Sequence, residues 1–331
     1  MSATSSPPGP RPRLVPQAGP SAWRAPDLRP ADWMVPLGTE DAAEIEAVLA
    51  ALGGRAPATA AEAPLPRLGA VLRQAATRLD TGRGLVLLRG LNLDQLGEGE
   101  AGAEALLLVL GTHLGRALPQ GNAGEAVQRL DSPAGGATRW RFHADAADIV
   151  ALLTLRQPPD VDPVMLVSAA SVHNEMLKRN RAALELLYAP IPHLLLQEEG
   201  ATPAVVALPV FSTASGAFVG RYARDAIDAA QRLPETPRLT AAQVEALDSL
   251  DAICAEPGLA LRMEVRPGDV LLFNPLLVWK RRAEAVEGDA GAVRQALRLM
   301  LVTPSSRALP HGLAAVGEAP APGATGGMVG G

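Results

Sequence analysis

A histidine and an aspartate two positions apart, His143 and Asp145, are the pair of side chains in this sequence best suited to chemistry. Alternate residues of an extended strand point to the same side, so the imidazole and the carboxylate would face a common point. Two such groups can bind one cation together or share a proton. A hydrogen-bonded or solvated pair with neither role has the same spacing, so the surrounding chain must decide between them.

A single cysteine, Cys254, and a small negative net charge exclude several classes of function. One cysteine cannot build a disulfide framework or a cysteine-rich zinc or iron–sulfur site. The net charge of −5 argues against broad electrostatic binding to nucleic acid or to an anionic membrane. No basic-then-apolar leader opens the sequence, and no apolar run reaches the roughly 18 residues of a membrane span. We therefore expect a cytoplasmic protein, and the sequence leaves its oligomeric state open.

The elements that must position the pair are helices followed by short, buried strands. Hydrophobic residues make up 48% of the chain, which is enough to form a sizeable core. Apolar runs bounded by turn residues predict buried strands at Gly84–Gly90, Asp148–Arg156, Val164–Ser168, Val270–Phe273 and Leu297–Thr303. Capping boxes predict helices that begin at Asp41 and Thr240. This order predicts an α+β domain built on a sheet sandwich or barrel.

The two ends of the chain differ in composition from its middle. Nine prolines fall within the first 36 residues, and Gly312–Gly331 is mostly glycine, alanine and proline. Such segments lack the apolar periodicity of packed elements. We therefore predict a flexible proline-rich arm at 1–32, one domain at 33–308 and a disordered tail at 309–331.

Seven motifs, spread in order over about four-fifths of the chain, resemble the taurine dioxygenase (TauD/TfdA-like) family. Each motif is modest, and their shared order carries the resemblance. The motifs are Gly82–Gly90, Leu110–Arg116, Phe142–Arg156, Ser171–Leu177, Arg221–Arg224, Arg266–Asp269 and Arg294–Leu301.

This resemblance implies a fold, a chemistry and a set of site residues. The fold is a double-stranded β-helix, or jelly roll, of the clavaminate-synthase-like type with helical additions. The chemistry is that of iron(II)- and 2-oxoglutarate-dependent dioxygenases, which are oxidoreductases acting here on a small, carboxylated molecule. His143 and Asp145 match the first histidine and the acid that bind the metal. Arg298 matches the arginine that pairs with the distal carboxylate of 2-oxoglutarate.

The sequence departs from the family at the second metal-binding histidine. Lys280 stands where that histidine should be, and the chain has no histidine between His193 and His311. A small shift of the alignment therefore cannot restore the ligand. A second departure is Val164, which stands where the family often has a serine or threonine that contacts 2-oxoglutarate. We expect an incomplete, degenerate metal site, in which iron binding is in doubt.

Three arrangements of Lys280 are open. We rank first an ion pair with Asp145 that fills the space of the metal, because opposite charges stabilise both ionised forms. Second is a lysine that extends outward towards Arg281 and Arg282 and leaves two ligands. Third is direct binding of metal by the neutral amine, which the pKa of about 10.4 of a free lysine opposes.

Three hypotheses of function follow from these arrangements. The first is an iron- and 2-oxoglutarate-dependent oxidoreductase with an atypical His-x-Asp…Lys site. The second is a repurposed, metal-free enzyme in which Lys280 and Asp145 exchange protons, or Lys280 attacks a carbonyl group. The third is a catalytically silent family member that binds a small molecule or a partner. We favour the first on the strength of the family resemblance.

Overall fold

The computed structural model describes residues 14–96, 99–121, 124–133, 140–159, 161–196, 204–213, 216–283, 293–304 and 327–328. The helices of these ranges are α1 Pro30–Trp33, α2 Thr39–Leu52, α3 Leu68–Asp80, α4 Glu100–Thr112, α5 Ala169–Arg179, α6 Arg181–Leu187, α7 Arg224–Ala230 and α8 Ala241–Cys254. The strands are β1 Met34–Pro36, β2 Leu85–Arg89, β3 Arg116–Ala117, β4 Val127–Pro133, β5 Trp140–His143, β6 Ile149–Arg156, β7 Val164–Ser168, β8 Ile191–Leu196, β9 Ala204–Leu208, β10 Phe211–Ser212, β11 Val219–Gly220, β12 Leu261–Met263, β13 Val270–Phe273, β14 Val278–Ala283, β15 Val293–Val302 and β16 Gly327–Met328.

Two facing sheets form the centre of the fold. The larger has the order β1-β2-β13-β6-β15-β3, with β4 also paired to β15, and the smaller has the order β12-β7-β14-β5. All pairs in both sheets are antiparallel except β1 with β2. Apolar side chains from both sheets fill the space between them. This arrangement confirms the predicted jelly roll with helical additions.

Helices cover the outer face of each sheet, and the alternation of each strand separates this outer face from the interior. Leu297, Leu299 and Leu301 of β15 pack among the residues of α2, α3 and α4 outside the larger sheet. Trp279 of β14 packs with residues of α5, α6 and α8 outside the smaller sheet, whereas its neighbour Val278 lies between the sheets. Residues that alternate with these outward-facing leucines and with Trp279 along β15 and β14 therefore face the interior. No helix within the described ranges is long and apolar enough to cross a membrane.

Local sequence signals predicted several element boundaries correctly. Strands β7 and β13 have the predicted bounds. The capping box at the start of α8 is confirmed, since the Thr240 hydroxyl accepts a hydrogen bond from the Gln243 amide and the Gln243 side chain accepts one from the Thr240 amide. The predicted start at Asp41 is wrong. Helix α2 begins at Thr39, because the Asp41 carboxylate accepts the Gly38 amide (2.8 Å) and so acts from inside the first turn.

The amino-terminal segment differs from the predicted flexible arm from residue 14 onward. Trp23 is 0% exposed, lies between the sheets and donates its indole N–H to the Arg83 carbonyl (2.8 Å). The hydroxyl of Ser171 donates to the Trp23 carbonyl (2.6 Å), which ties the segment to α5. Within the predicted tail, residues 327–328 pair with β8, and the rest of 309–331 lies outside the described residues, as does 1–13.

The turn before β13 contains a glycine that the fold requires. Gly268 has a φ of +86°, and a Cβ at this position would lie 2.0 Å from the Leu91 carbonyl oxygen. Asp269, 2% exposed, closes the turn by accepting the Arg266 amide (2.8 Å) and the Arg89 guanidinium (2.6 Å).

We expect Gly268→Ala to lower the free energy of unfolding by at least about 2 kcal/mol, because the left-handed backbone and the contact with Leu91 both oppose a side chain. Urea denaturation of the two proteins measures this loss. Gly54→Ala is the matched control, since Gly54 has a φ of +82° and a Cβ added there would meet no atom within 4 Å. An equal decrease of the unfolding free energy in both variants would show that the contact with Leu91 contributes nothing to the loss of stability.

Candidate active site

Two adjacent strands of the smaller sheet place His143 and Lys280 side by side. Strands β5 and β14 are antiparallel, and Lys280 is the direct cross-strand partner of His143. The neighbours Phe142 and Trp279 pack among the helices outside the sheet. His143 and Lys280 therefore face the interior, where directly opposed side chains lie about 5 Å apart at Cβ. The lysine occupies a place beside the first predicted ligand.

Asp145 follows β5 and lies next to the histidine. Its carboxylate Oδ2 is 3.9 Å from His143 Nε2, and its side chain is 4% exposed. The Ala144 amide donates to the Tyr222 carbonyl (2.7 Å), which holds the chain at this point. The structure thus brings together the pair whose spacing in the sequence indicated a common site.

Arg298 reaches Asp145 from the opposite sheet. It lies on the interior face of β15, and its Nη1 donates to Asp145 Oδ1 (3.0 Å). Its Nε donates to Gln120 (2.8 Å) and its Nη2 to Gln128 (2.5 Å). These bonds use three of the five guanidinium N–H groups. All four predicted site residues are therefore in one place, and Arg298 holds the predicted metal ligand.

The two glutamines were missed by the sequence analysis. Gln128 lies on β4 directly opposite Arg298 in the strand register, and Gln120 precedes β4 on the chain. Gln120 also donates to the Arg298 carbonyl (3.0 Å), so it holds both the side chain and the backbone of the arginine. No motif in the sequence marks either residue, because their role depends on how β4 pairs with β15.

Arg221 is a further residue of this region to which the sequence analysis gave no role. It directly follows β11 and is 3% exposed. Burial lowers the pKa of Arg221 to about 10, and the charge of Asp145 opposes that shift. Its Nε and Nη2 form no hydrogen bond within the described part of the chain. The Arg221–Arg224 motif was the signal that could have identified it.

A network of ion pairs anchors β5 behind the site. Arg141, two residues before His143 on β5, donates from Nη1 to Asp225 and Asp228 of α7 (2.9 Å each). Arg224 donates to Asp228 (2.9 Å) and also contacts α8. The strand that carries the histidine is therefore fixed to α7 by charge-assisted hydrogen bonds, and α7 is fixed in the same way to α8.

The described residues fit two positions of an iron site. Within the described ranges, no group of three or more histidine, cysteine, aspartate or glutamate side chains is arranged so that it could hold a metal ion. Neighbouring donors that each lie about 2.1 Å from one metal are about 3.0 Å apart. His143 Nε2 and Asp145 Oδ2, 3.9 Å apart, would therefore have to approach each other by about 0.9 Å to bind one ion together. Lys280 is the cross-strand partner of His143, and a protonated lysine has no lone pair to offer a metal.

The charge of Arg221 also acts on His193, a further histidine of the chain. His193 on β8 is fully buried, and its Nδ1 hydrogen-bonds to the Ile191 carbonyl (2.8 Å). Burial lowers the pKa of His193 to about 4, and the positive charge of Arg221 adds to the shift. The folded protein therefore holds this imidazole neutral at neutral pH.

We expect His193 to make the fold acid-sensitive. The unfolded chain takes up a proton on this residue near pH 6.5 and the folded chain only near pH 4, so the stabilising contribution is complete above about pH 6.5 and is lost as the pH falls towards 4. The unfolding free energy of the wild type should fall over this range by about 3 kcal/mol more than that of His193→Asn. Urea denaturation at a series of pH values measures the difference, and parallel curves would contradict it.

Solved structures of two iron oxygenases have the same fold. An asparagine oxygenase, in complex with Fe(II), 2S,3S-3-hydroxyasparagine and succinate, matches 81% of this chain and 93% of its own with a TM-score of 0.59 and 20% identity. The non-heme iron oxygenase OrfP, in complex with Fe, matches 84% of this chain and 99% of its own with a TM-score of 0.58 and 17% identity. At these identities the likeness establishes the fold alone.

The sequence establishes the family. FR-33289 synthase of Streptomyces rubellomurinus (strain ATCC 31215) is 27% identical over 272 residues, which are 76% of this chain and 78% of the relative. The family model of taurine catabolism dioxygenase TauD, TfdA matches residues 50–300, well over half of the chain. The resemblance first inferred from seven short motifs is confirmed at this level. The chain belongs to the taurine catabolism dioxygenase TauD, TfdA family.

Proposed function

We propose that this protein is an iron(II)- and 2-oxoglutarate-dependent oxidoreductase that acts on a small, carboxylated molecule in the cytoplasm. The observation that carries the proposal is the His143–Asp145 pair, which faces the interior between two sheets with 3.9 Å between Nε2 and Oδ2. The solved relatives support it, since one holds Fe(II), succinate and a hydroxylated amino acid, and another holds iron and α-ketoglutaric acid. In this proposal the activity belongs to the predicted domain 33–308 together with the segment around Trp23, which packs against it.

In this proposal His143 Nε2 and Asp145 Oδ2 hold the iron, and Lys280 occupies the third ligand position. Bound iron, together with 2-oxoglutarate and oxygen, supplies the oxidising chemistry. Arg298 hydrogen-bonds to Asp145 Oδ1, which turns Oδ2 towards the histidine. Its two remaining N–H groups are available to the distal carboxylate of 2-oxoglutarate.

Metal binding and turnover test this proposal directly. Metal-free protein is titrated with iron(II) under anaerobic conditions, and 2-oxoglutarate consumption is then followed as succinate formation in air. We expect one equivalent of iron and iron-dependent succinate. Asp145→Asn should weaken iron binding by about tenfold or more, because the neutral amide is a poorer ligand for a hard cation, while Asp131→Asn, at an exposed position, serves as the control. No bound iron at saturating concentration would overturn the proposal.

A second candidate is a metal-free function, which the cationic surroundings of the pair favour. Lys280 is the cross-strand partner of His143, and Arg298 already binds Asp145. In this alternative Lys280 and Asp145 exchange protons with a bound molecule, Lys280 attacks its carbonyl group, or the chain binds the molecule without reaction. Borohydride reduction in the presence of 2-oxoglutarate, followed by mass spectrometry of the Lys280 peptide, tests for a covalent adduct. Stoichiometric iron with iron-dependent succinate formation would exclude this candidate.

A further inference from the structure

We infer that Arg221 is a binding residue for an oxyanion, a carboxylate or phosphate-type group, of a ligand that enters the interior beside Asp145. Nothing in the proposed iron chemistry assigns a role to this arginine, and the inference holds whether or not the protein binds iron. It rests on the burial of the guanidinium, on its two unpaired N–H groups and on the charge around it.

Two buried guanidinium nitrogens of Arg221 have no hydrogen bond among the described residues, and this needs an explanation. The residue is 3% exposed, and its Nε and Nη2 meet no acceptor in the described part of the chain. A buried guanidinium is strongly destabilising unless its N–H groups are paired. By contrast, buried Arg298 bonds to three side chains, and Arg224 bonds to three aspartates. The Nε and Nη2 atoms of Arg221 therefore need hydrogen-bond partners that the described residues do not supply.

The two unpaired nitrogens indicate what the partner is. The N–H bonds of Nε and of the adjacent terminal nitrogen, Nη2, are parallel and lie on one edge of the planar guanidinium. This edge matches the two oxygens of a carboxylate or a phosphate group in a bidentate pair. A single neutral acceptor would satisfy one N–H and leave the other buried and unpaired. An oxyanion satisfies both and neutralises the charge.

The charges near Arg221 leave room for one more anion. Asp145 is the carboxylate whose charge acts on Arg221. The same carboxylate binds the guanidinium of Arg298 through Oδ1 (3.0 Å). Among the described residues, the Asp145 carboxylate therefore acts on two buried guanidinium groups, and an added oxyanion would balance the second.

The backbone fixes Arg221 in this position before any ligand arrives. Its amide donates to the Val210 carbonyl (2.7 Å), and the Gly220 amide donates to the Leu276 carbonyl (2.8 Å). A Cβ at Gly220 would lie 2.8 Å from Ala169 and 3.0 Å from Trp279, so the chain is tightly packed here. A side chain that is already buried on a fixed backbone loses less entropy when a ligand binds than an exposed, mobile one.

His193 adds a hydrogen-bond acceptor to the same region. Its Nδ1 is paired with the Ile191 carbonyl, so Nδ1 carries the hydrogen and Nε2 presents a lone pair. Nε2 is buried and bonds to no described residue, and the Arg221 charge acts on the ring. A ligand bound to Arg221 that also carries a hydroxyl or N–H group could donate to this lone pair. Small hydroxy or amino acids have this chemistry.

Anion binding to the metal-free, full-length protein tests the inference apart from any oxygenase activity. Inorganic phosphate and succinate are titrated calorimetrically against the wild type, Arg221→Gln and Arg221→Lys. We expect saturable binding of at least one anion to the wild type and roughly tenfold to hundredfold weaker binding to Arg221→Gln. Arg55→Gln, which removes an exposed arginine, should bind like the wild type.

Arg221→Lys keeps the positive charge and lacks the two parallel N–H groups, so it also decides the question if Arg221→Gln does not fold. We expect weaker binding to Arg221→Lys than to the wild type, with circular dichroism confirming the fold of each variant. Wild-type affinity in the folded Arg221 variants would overturn the inference, because the anion would then bind elsewhere, for instance at Arg298. Absence of saturable binding of both anions to the wild type would overturn it as well.

Discussion

Replacing Lys280 with histidine is expected to raise the affinity of the protein for iron(II) by about a hundredfold. The residue is the cross-strand partner of His143 and faces the same interior space as Asp145. An imidazole at this position adds a neutral nitrogen ligand to the existing pair and removes an ammonium that repels a cation. Anaerobic titration of the metal-free variant with iron(II) measures the gain.

Two further variants test whether the gain in iron affinity comes from a ligand at position 280. Lys178→His is the matched control, since Lys178 is the other lysine of the chain and is exposed on α5. Lys280→Met removes the amine without adding a ligand. It should bind iron more tightly than the wild type if the ammonium repels the metal, and more weakly if the amine is itself a ligand. An unchanged affinity in Lys280→His would show that Lys280 does not occupy the ligand position.

Replacing Trp23 with alanine is expected to lower the free energy of unfolding by about 3–5 kcal/mol. The indole is 0% exposed and packs between the sheets with residues of β2 and β13. The substitution leaves a large cavity and also leaves the Arg83 carbonyl without the indole N–H. Urea denaturation measures the loss.

A nearby residue of the same segment provides the control for this substitution. Val15 is 43% exposed, so Val15→Ala should change the unfolding free energy by no more than about 0.5 kcal/mol. If Trp23→Ala were as mild as Val15→Ala, the amino-terminal segment would contribute little to the core. The segment would then behave as the flexible arm that the sequence predicted.

Local patterns were sufficient where an element is determined by its own residues. Strands β7 and β13 were predicted with their correct bounds, because each is a short apolar run buried on both faces and bounded by turn residues. The start of α8 was correct because Thr240 and Gln243 cap each other. The start of α2 was wrong because an aspartate acts equally well before a helix and within its first turn.

Local patterns failed where packing comes from distant parts of the chain. Residues 14–29 have no apolar periodicity, and their proline content alone predicts an extended, mobile segment. Two distant residues hold this segment in a fixed conformation. Ser171, 148 positions away, donates a hydrogen bond to the Trp23 carbonyl, and the Arg83 carbonyl, 60 positions away, accepts one from the Trp23 indole. Nothing within the segment indicates that these partners exist.

The sequence by itself determined the family and the jelly roll, and it predicted that His143, Asp145, Lys280 and Arg298 belong to one site. It could do so because alternation along a strand and the order of motifs are properties of the linear chain. Only the tertiary structure decided that Arg298 binds Asp145 and that Arg221, on which the charge of Asp145 acts, has two buried nitrogens without a partner among the described residues. These contacts arise where separate strands and loops meet, and the order and register of the strands, which no local pattern encodes, determine which charges face one another.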